Sequence, residues 1–220
     1  MNRELMRILS LLLPSLQQTI YMVVVSTIFS VVLGLPLGVL LVITEKGGIW
    51  EKPSFNRILG TVINILRSIP FLILMIVVFP LSRLIVGTTI GTTATIIPLS
   101  IVATPFVARV IESSLKEVDR GAVEASLSMG ATPFQIITKV LIPESLPSLI
   151  QGITLTMINI IGYSAMAGAL GGGGLGDLAI RYGSQRYDTH VLIATVVVLI
   201  IVVQAIQFAG NYIAKKIDRR

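Results

Sequence analysis

Four long stretches without a charged side chain constrain this chain more than any other feature. They cover residues 8–44, 84–108, 145–176 and 189–214. A helix needs about 20 consecutive apolar residues to cross a hydrocarbon core roughly 30 Å thick, so each stretch is long enough to span a bilayer. Only 13% of the 220 residues are charged, whereas charged residues make up about 25% of a typical soluble domain. A soluble enzyme is therefore disfavoured.

A fifth span is expected over about 59–81, where Arg67 is the one charge in an apolar run. A charge at mid-bilayer costs about 2.5–3.5 kcal/mol on insertion scales, which the surrounding Leu, Ile and Val side chains offset. The strands of a β-barrel would alternate in polarity, and these stretches do not. The sequence thus predicts an all-α polytopic membrane protein with one transmembrane domain over 1–220. The five predicted spans are about 18–42, 59–81, 88–111, 147–168 and 191–213.

The distribution of Lys and Arg predicts the orientation. With five spans the two ends lie on opposite sides of the membrane. The side that holds the 43–58 loop, the 112–146 segment and the C-terminus carries 12 of the 17 basic residues. Basic residues accumulate on the cytoplasmic side, so we expect the N-terminus outside and the C-terminus inside. The basic tail 215–220 is then an orientation signal facing the bilayer, and no nucleic-acid partner is expected.

The cytoplasmic segment 112–146 has the pattern of two short helices. Asp119 is placed to cap the first helix, and Gly130 is placed for the left-handed residue that follows its end. A second helix is expected to start at Thr132, because Thr132 and Gln135 have the spacing of a capping box around a first-turn proline. It is expected to end near residue 142, since a proline follows.

An apolar stripe runs along both short helices. Its members are Val123, Leu127, Ala131, Phe134, Ile137 and either Val140 or Leu141. Such a stripe needs something to pack against. Either the segment folds back onto the ends of its own spans, or part of it inserts into a partner protein. The pattern leaves both interpretations open.

The spacing within this segment resembles a known family. Glu124-Ala125-Ser126, then Gly130, then the sequence Val-Leu-Ile-Pro over 140–143, is similar to the Glu-Ala-Ala loop of ABC-importer permease subunits. Ser126 replaces the second alanine of that signature. The resemblance implies that this loop couples the chain to an ATPase. The coupling residues it implies are Glu124, Ala125, Ser126, Gly130, Ala131 and Pro143.

The resemblance extends over nearly the whole chain and is closest to the methionine-uptake subgroup. The similar segments are 67–71, 86–88, 103–109, 129–133, 162–168, 172–176 and 207–210. It implies a type I ABC-importer permease fold in a bacterial plasma membrane. It also implies a homodimer, two copies of a cytoplasmic ATPase and an external methionine-binding protein. The substrate is then L- or D-methionine, and another amino acid or a quaternary amine stays open as an alternative.

No catalytic or cofactor site is expected in the chain itself. The glycine-rich run 171–174 lacks the lysine of a phosphate-binding loop, so Mg-ATP is expected on the partner ATPase. The run more often marks a helix break or a re-entrant turn. An ion-coupled secondary transporter would need carboxylates inside the spans, and the acidic residues lie in loops and at span ends. An intramembrane enzyme is disfavoured in the same way, because its catalytic groups are absent from the spans.

Two places are candidates for the translocation path. Pro70 interrupts the second span beside Arg67 and Ser68, and the freed backbone groups can line a cavity. Arg67 can also simply extend to the cytoplasmic interface. In the fourth span, one helix face combines polar and sulfur-bearing residues and can instead be an interface between helices. The candidates on and beside this face are Asn159, Tyr163, Ser164 and Met166.

Overall fold

A computed structural model describes residues 2–218, and helices make up nearly all of this part of the chain. The helices are α1 Asn2–Ile43, α2 Pro53–Ser68, α3 Phe71–Val86, α4 Thr92–Lys116, α5 Arg120–Ser128, α6 Pro133–Ile136, α7 Ile142–Gly168, α8 Gly174–Leu178 and α9 Thr189–Ile217. Two π-helical stretches join them, Ile137–Leu141 between α6 and α7 and Ala179–Gln185 after α8. Residues 2–218 contain no strand, which confirms the all-α prediction.

The number of membrane spans agrees with the prediction if one broken span is counted. Four segments are long and apolar enough to cross a bilayer, and the bent pair α2 and α3 gives a fifth. The four are Arg3–Ile43, Thr92–Lys116, Pro133–Gly168 and Thr189–Ile217. α1 is longer than expected, because it continues through Pro14 to the start of the chain. Leu12 is buried there against α8 and α9, and this packing holds the extension in place.

The span predicted over 59–81 is two helices rather than one. The axes of α2 and α3 differ by 105°. Pro70 has no N–H group and disfavours helical geometry at the residue before it, and Ile69 is accordingly extended, with φ −79° and ψ 128°. The expected interruption at Pro70 is confirmed, and it is a sharp turn rather than a mild kink.

The prediction that the second cytoplasmic helix ends near residue 142 is wrong. Its path continues from α6 through the π-helical stretch Ile137–Leu141 directly into α7. Pro143 lies in the first turn of α7. A π-helical turn is wider than an α-helical one and accommodates a residue that cannot donate the regular backbone bond. The second short helix of the 112–146 segment and the fourth span therefore form one continuous helical path.

α1 and α4 pack closely along a ladder of small residues. Ser26, Ser30, Gly34 and Gly38 follow each other at intervals of four and so share one face of α1. The Ser30 hydroxyl donates to the backbone carbonyl of Ser100 at 3.0 Å. A Cβ added to Gly38 would lie 2.7 Å from the backbone oxygen of Ala108 in α4, which is closer than van der Waals contact allows. The two backbones are therefore in near contact, and this pair is the centre of the fold.

The glycine-rich run 171–174 separates α7 from α8, as predicted for a helix break. Gly171, Gly173 and Gly174 have positive φ angles, which residues with a side chain disfavour. α1 supplies acceptors for the start of α8. The Gln18 amide oxygen accepts from the Gly174 N–H at 2.8 Å, and the Thr19 hydroxyl oxygen accepts from the Leu175 N–H at 2.8 Å. The glycine-rich run and the start of α8 are thereby fixed to α1.

Candidate functional site: coupling loop and broken-helix cleft

The turn between α5 and α6 has the predicted local geometry. Gly130 has φ +80°, the left-handed conformation that ends the first short helix. The Ala131 N–H donates to the carbonyl of Ser126 at 3.0 Å and closes the turn. The capping box is present, since the Thr132 N–H donates to the Gln135 side chain at 2.8 Å and the Gln135 N–H donates back to the Thr132 hydroxyl oxygen. The turn is therefore held by the residues that predicted it.

The cap expected at the start of α5 is present in position only. Asp119 is the residue before the helix, but its side chain makes no capping hydrogen bond. The carboxylate lies close to Gly121, whose Cβ, if it had one, would be 2.9 Å from an oxygen of Asp119. A negative charge at this position still suits the positive end of the helix dipole.

The apolar stripe of the loop divides into a buried and an exposed part. Ile136 and Leu141 are buried in one cluster with Ile111 and Leu115 of α4. The tip of the loop instead presents large apolar side chains to solvent. These are Leu127, Met129 and Phe134, which are 44%, 80% and 73% exposed. The buried part confirms that the segment folds back onto its own spans, whereas insertion of the exposed tip into a partner stays a prediction. Met129 is not among the coupling residues predicted from the sequence.

The predicted coupling residues lie on both sides of this division. Glu124, Ala125 and Gly130 are exposed on the outer side of the loop. Ser126 is buried, and its hydroxyl donates to the carbonyl of Ala122 at 2.8 Å. Ala131 is half-buried against the cluster, and Pro143 is exposed at the start of α7. Ser126 and Ala131 therefore shape the loop, and the others are available to a partner.

A pocket of about 300 Å³ lies between α5 and the turn that follows α1. Glu45, Lys116, Arg120 and Glu124 contribute charges of both signs to its lining. Lys116 forms an ion pair with Glu45 at 2.8 Å. Glu124 forms no ion pair with any residue of the described chain. Its carboxylate is therefore free to meet a basic group from outside.

The end of α4 that leads into the 112–146 segment carries an ion-pair network that was not predicted from the sequence. Glu112 accepts from Arg109 at 2.6 Å and from Lys116 at 2.8 Å. The Arg109 guanidinium also donates to the Gly60 carbonyl at 3.0 Å and to the Asn64 side-chain oxygen at 2.9 Å. The network joins α2 to the turn after α1. The spacing of Arg109, Glu112 and Lys116 on one helix face was the available sequence signal.

The break between α2 and α3 opens a cleft of about 350 Å³. Arg67, Ser68 and Pro70 line one side of it, and Tyr163 of α7 lines the other. The Tyr163 ring stacks on Phe71, with 4.3 Å between the ring centroids and 7° between the planes. The structure therefore brings the two predicted stretches of the translocation path together at one place.

Three other candidates for the path lie outside the lining of this cleft. Ser164 is buried, and its hydroxyl donates to the carbonyl of Ile161 at 2.8 Å. Asn159 is half-buried, and Met166 is 49% exposed on the α7 surface. Of the four candidates in the fourth span, Tyr163 is thus the one that lines the cleft with Arg67, Ser68 and Pro70. The role of these three residues in transport stays a prediction.

At the opposite end of the molecule, α1 is tied to the start of α9. Arg7 forms an ion pair with Asp188 at 2.7 Å. Asp188 also caps α9, since it accepts from the Val191 N–H at 3.2 Å. The Val191 N–H, followed by the Arg7 guanidinium, holds the pKa of Asp188 below its usual range. The carboxylate therefore keeps its charge under mildly acidic conditions.

Comparisons with known proteins assign the chain to a family. The model of the binding-protein-dependent transport system inner membrane component matches residues 30–220. The chain belongs to this family. An inner membrane component is a transport subunit, which agrees with the spans described above. Among residues 2–218, no three His, Asp or Glu side chains are grouped so that they could hold a metal ion.

Relatives of this inner membrane component are similar over most of their length. A probable D-methionine transport system permease protein MetI of Vibrio cholerae is 55% identical, over 96% of this chain and 93% of that protein. The methionine import system permease protein MetP of Bacillus subtilis is 47% identical over 82% of each chain. A solved inward-facing structure of the MetNI methionine ABC transporter contains a chain that is 46% identical. It superposes with a TM-score of 0.94 and covers 96% of this chain and 98% of that one.

Proposed function

We propose that this chain is the permease subunit of an ATP-driven importer that carries methionine across the bacterial plasma membrane. The observation that carries the proposal is the 55% identity to a probable D-methionine permease over almost the full length of both chains. Two copies of the chain form the membrane-spanning part. A methionine-binding protein delivers the substrate from outside, and two ATPase subunits act on the cytoplasmic side.

The chain itself supplies no catalysis in this proposal. The partner ATPase binds and hydrolyses Mg-ATP, and the 112–146 segment receives the resulting motion as a coupling loop. The N-terminus lies outside and the C-terminus in the cytoplasm. The excess of basic residues beside the coupling loop supports this orientation, because Lys and Arg accumulate on the cytoplasmic side.

The exposed tip of the loop is the contact surface for the ATPase. Met129 and Phe134 are large apolar side chains that remain uncovered within residues 2–218. Fully burying such a side chain is worth about 1.5–3 kcal/mol, which favours a partner that covers them. Glu124, free of ion pairs in the described chain, adds a charge that a basic group of the ATPase can meet. Apolar anchors give the affinity, and the carboxylate gives the orientation.

Motion of the loop reaches the spans through two connections, one a continuous helical path and the other a network of long side chains. The first is the continuous path from α6 through the π-helical stretch into α7. The second is the network of Arg109, Glu112 and Lys116, which ties α2 to the end of α4 just before the loop. Both can transmit a rigid-body displacement without local unfolding. The cleft formed by Arg67, Ser68, Pro70 and Tyr163 lies along this route and is the proposed translocation path.

The test is transport by the assembled importer in proteoliposomes. The chain is co-purified with its ATPase, reconstituted, and supplied with binding protein and labelled methionine. We expect uptake that requires internal ATP and rises with binding protein. Uptake that proceeds without ATP and follows an ion gradient would contradict the proposal, and so would failure to co-purify with any ATPase.

Variants of the loop test the coupling role separately. Phe134→Ala is expected to weaken association with the ATPase by about 10–100-fold, since an interface anchor contributes on the order of 1.5–3 kcal/mol. Thr138→Ala, one turn further on and also exposed, is the matched control and should bind normally. Glu124→Lys and Gly130→Val should each lower ATP-driven uptake at least tenfold. Normal uptake in both of these variants would exclude the coupling role.

A further inference from the structure

The cleft at the α2–α3 break contains two polar groups that have no partner in the described chain. The Arg67 guanidinium makes no ion pair or hydrogen bond with residues 2–218. The Tyr163 hydroxyl likewise makes no hydrogen bond there. None of the nine residues that line the cleft is acidic. Arg67 is exposed along the open side of the cleft, so the cleft offers an accessible permanent positive charge and no anion to compensate it.

The depth of the cleft makes this unpaired charge significant. Its lining includes Val102 and Phe106, which lie in the middle of the 25-residue helix α4. The middle of a spanning helix corresponds to the middle of the bilayer. Charged side chains at that depth face a cavity or a partner and mark a pathway for substrates or ions. Arg67 lines the cleft beside these residues and is accessible to a ligand there.

The remaining walls of the cleft are apolar and aromatic. Phe106 and the stacked pair of Phe71 and Tyr163 form much of the lining. Thioether groups make favourable contacts with aromatic rings. The volume of about 350 Å³ lies at the lower end of the range for small-molecule sites. A small ligand with one anionic group and one apolar, polarizable group matches these walls.

We propose that the cleft is a transient binding site for the amino-acid substrate within the membrane-spanning part. The Arg67 guanidinium binds the α-carboxylate, and the thioether side chain lies against Tyr163 and Phe106. The carbonyl groups at the end of α2 face the ammonium group, because the last turn of a helix leaves its carbonyls without intrahelical partners. This site selects a free amino acid after its release from the binding protein, so the inference rests on the proposed function.

The first test compares two arginines of the same helix in the assembled importer. Arg67→Gln removes the carboxylate ligand, whereas Arg57→Gln removes an exposed charge ten residues away and outside the cleft. We expect Arg67→Gln to lower methionine uptake by about 10–100-fold, the usual size of a lost charge-assisted hydrogen bond. Arg57→Gln should stay within twofold of the original protein. Arg67→Lys should recover part of the uptake, because it keeps the charge but not the planar fork.

A second test measures occupancy directly. The chain has no cysteine, so Ser68→Cys places a single thiol in the cleft and Thr61→Cys places one outside it. L-Methionine should slow modification of the first thiol by a polar thiol reagent at least threefold and leave the second unchanged. The amine 3-(methylthio)propylamine, which lacks only the carboxylate, should protect neither. Equal protection by methionine and the amine, or no protection in any nucleotide state, would overturn the site.

The outcomes separate this inference from the function on which it rests. If the original protein shows no ATP-driven uptake of methionine, the proposed function fails. If it shows uptake and Arg67→Gln matches it, only the binding site fails. Dissociation of the Arg67→Gln dimer during gel filtration would also overturn the site, because Arg67 would then serve a contact between subunits. Loss of uptake in an intact Arg67→Gln complex, together with carboxylate-dependent protection, supports it.

Discussion

The two sides of α4 are packed in opposite ways. Against α1, α4 meets serines and glycines that let the backbones touch, and Ser30 bonds directly to an α4 carbonyl. Against α2, the contact depends on Arg109 and on Ile63. Ile63 is the one buried residue of α2, all of whose residues lie in the described part of the chain. Close packing of backbones resists displacement, whereas a few long side chains permit it. We infer that α1 and α4 form a fixed frame and that α2 is the part that moves.

The largest expected effect on stability comes from truncating a buried leucine of α4, with an exposed leucine of α3 as the control. Leu99 of α4 is fully buried in the cluster with Met22 and Ile96, whereas Leu84 of α3 is 82% exposed. Leu99→Ala should lower the free energy of unfolding by about 2–5 kcal/mol through the cavity it leaves. Leu84→Ala should change it by less than about 0.5 kcal/mol. Denaturation in detergent measures both. Equal losses would mean that the burial of Leu99 between α1 and α4 adds no stability beyond that of an exposed side chain.

A pair of glycines tests the close approach of the frame itself. A Cβ on Gly38 would lie 2.7 Å from the carbonyl oxygen of Ala108, but a Cβ on Gly162 would meet open space. Gly38→Ala should therefore cost about 1–3 kcal/mol of stability by overpacking. Gly162→Ala, also in a helix, should be neutral or stabilise by up to about 1 kcal/mol. If Gly38→Ala is harmless, the α1–α4 contact is softer than its geometry indicates.

The junction between α2 and α3 is tested by replacing Pro70, the residue at which the helix is interrupted. Pro70→Ala allows Ile69 to become helical and should straighten the connection between α2 and α3. Spin labels at cysteines in positions 61 and 77 report the change. A continuous helix would separate their backbones by about 24 Å, more than the bent form does. Pro80→Ala, inside α3, is the control and should leave the distance unchanged. An unaltered distance in Pro70→Ala would show that tertiary contacts alone hold the bend.

The smallest effect concerns the end of the frame opposite the 112–146 segment and depends on pH. The pKa of Asp188 is lowered by the Val191 N–H and by Arg7, so the folded pKa lies below the unfolded one. Its contribution is present above the unfolded pKa and is lost as the pH falls through the folded value. Protection of the α1 start against hydrogen exchange should therefore persist at pH 5. Asp188→Asn should remove it at pH 7, whereas Glu4→Gln should not. Protection lost between pH 7 and 5 would contradict this assignment.

Features with a local cause were predictable from the sequence. The capping box of Thr132 and Gln135, the left-handed Gly130 and the interruption at Pro70 each follow from a few neighbouring residues. The spans followed from the absence of charge over long stretches. These are the features on which propensity and hydropathy act directly.

Features that depend on distant partners were not predictable. The interruption at Pro70 does not by itself give the angle of 105°, and the stack of Phe71 on Tyr163 of α7 at this point is a contact between residues far apart in sequence. The ion network needs Glu45 and Gly60, which are far from α4 in sequence. The end expected at residue 142 was wrong because a π-helical turn accommodates the proline that follows. In each case tertiary packing decided between locally allowed conformations.

The hydrogen bond from Gly174 to Gln18 has a consequence for how the protein is made. The two residues are 156 positions apart. At about 5–20 residues per second of synthesis, the Gln18 side chain enters the membrane roughly 8–30 s before the backbone group that it will bind exists. Thr19 and Ser30 do not lack a hydrogen-bond partner during this time, because each hydroxyl also donates to a carbonyl four residues earlier in α1. During biogenesis Gln18, like Arg7 with its partner Asp188, is thus a polar group of α1 whose partner is synthesised late, and the last third of the chain supplies both partners.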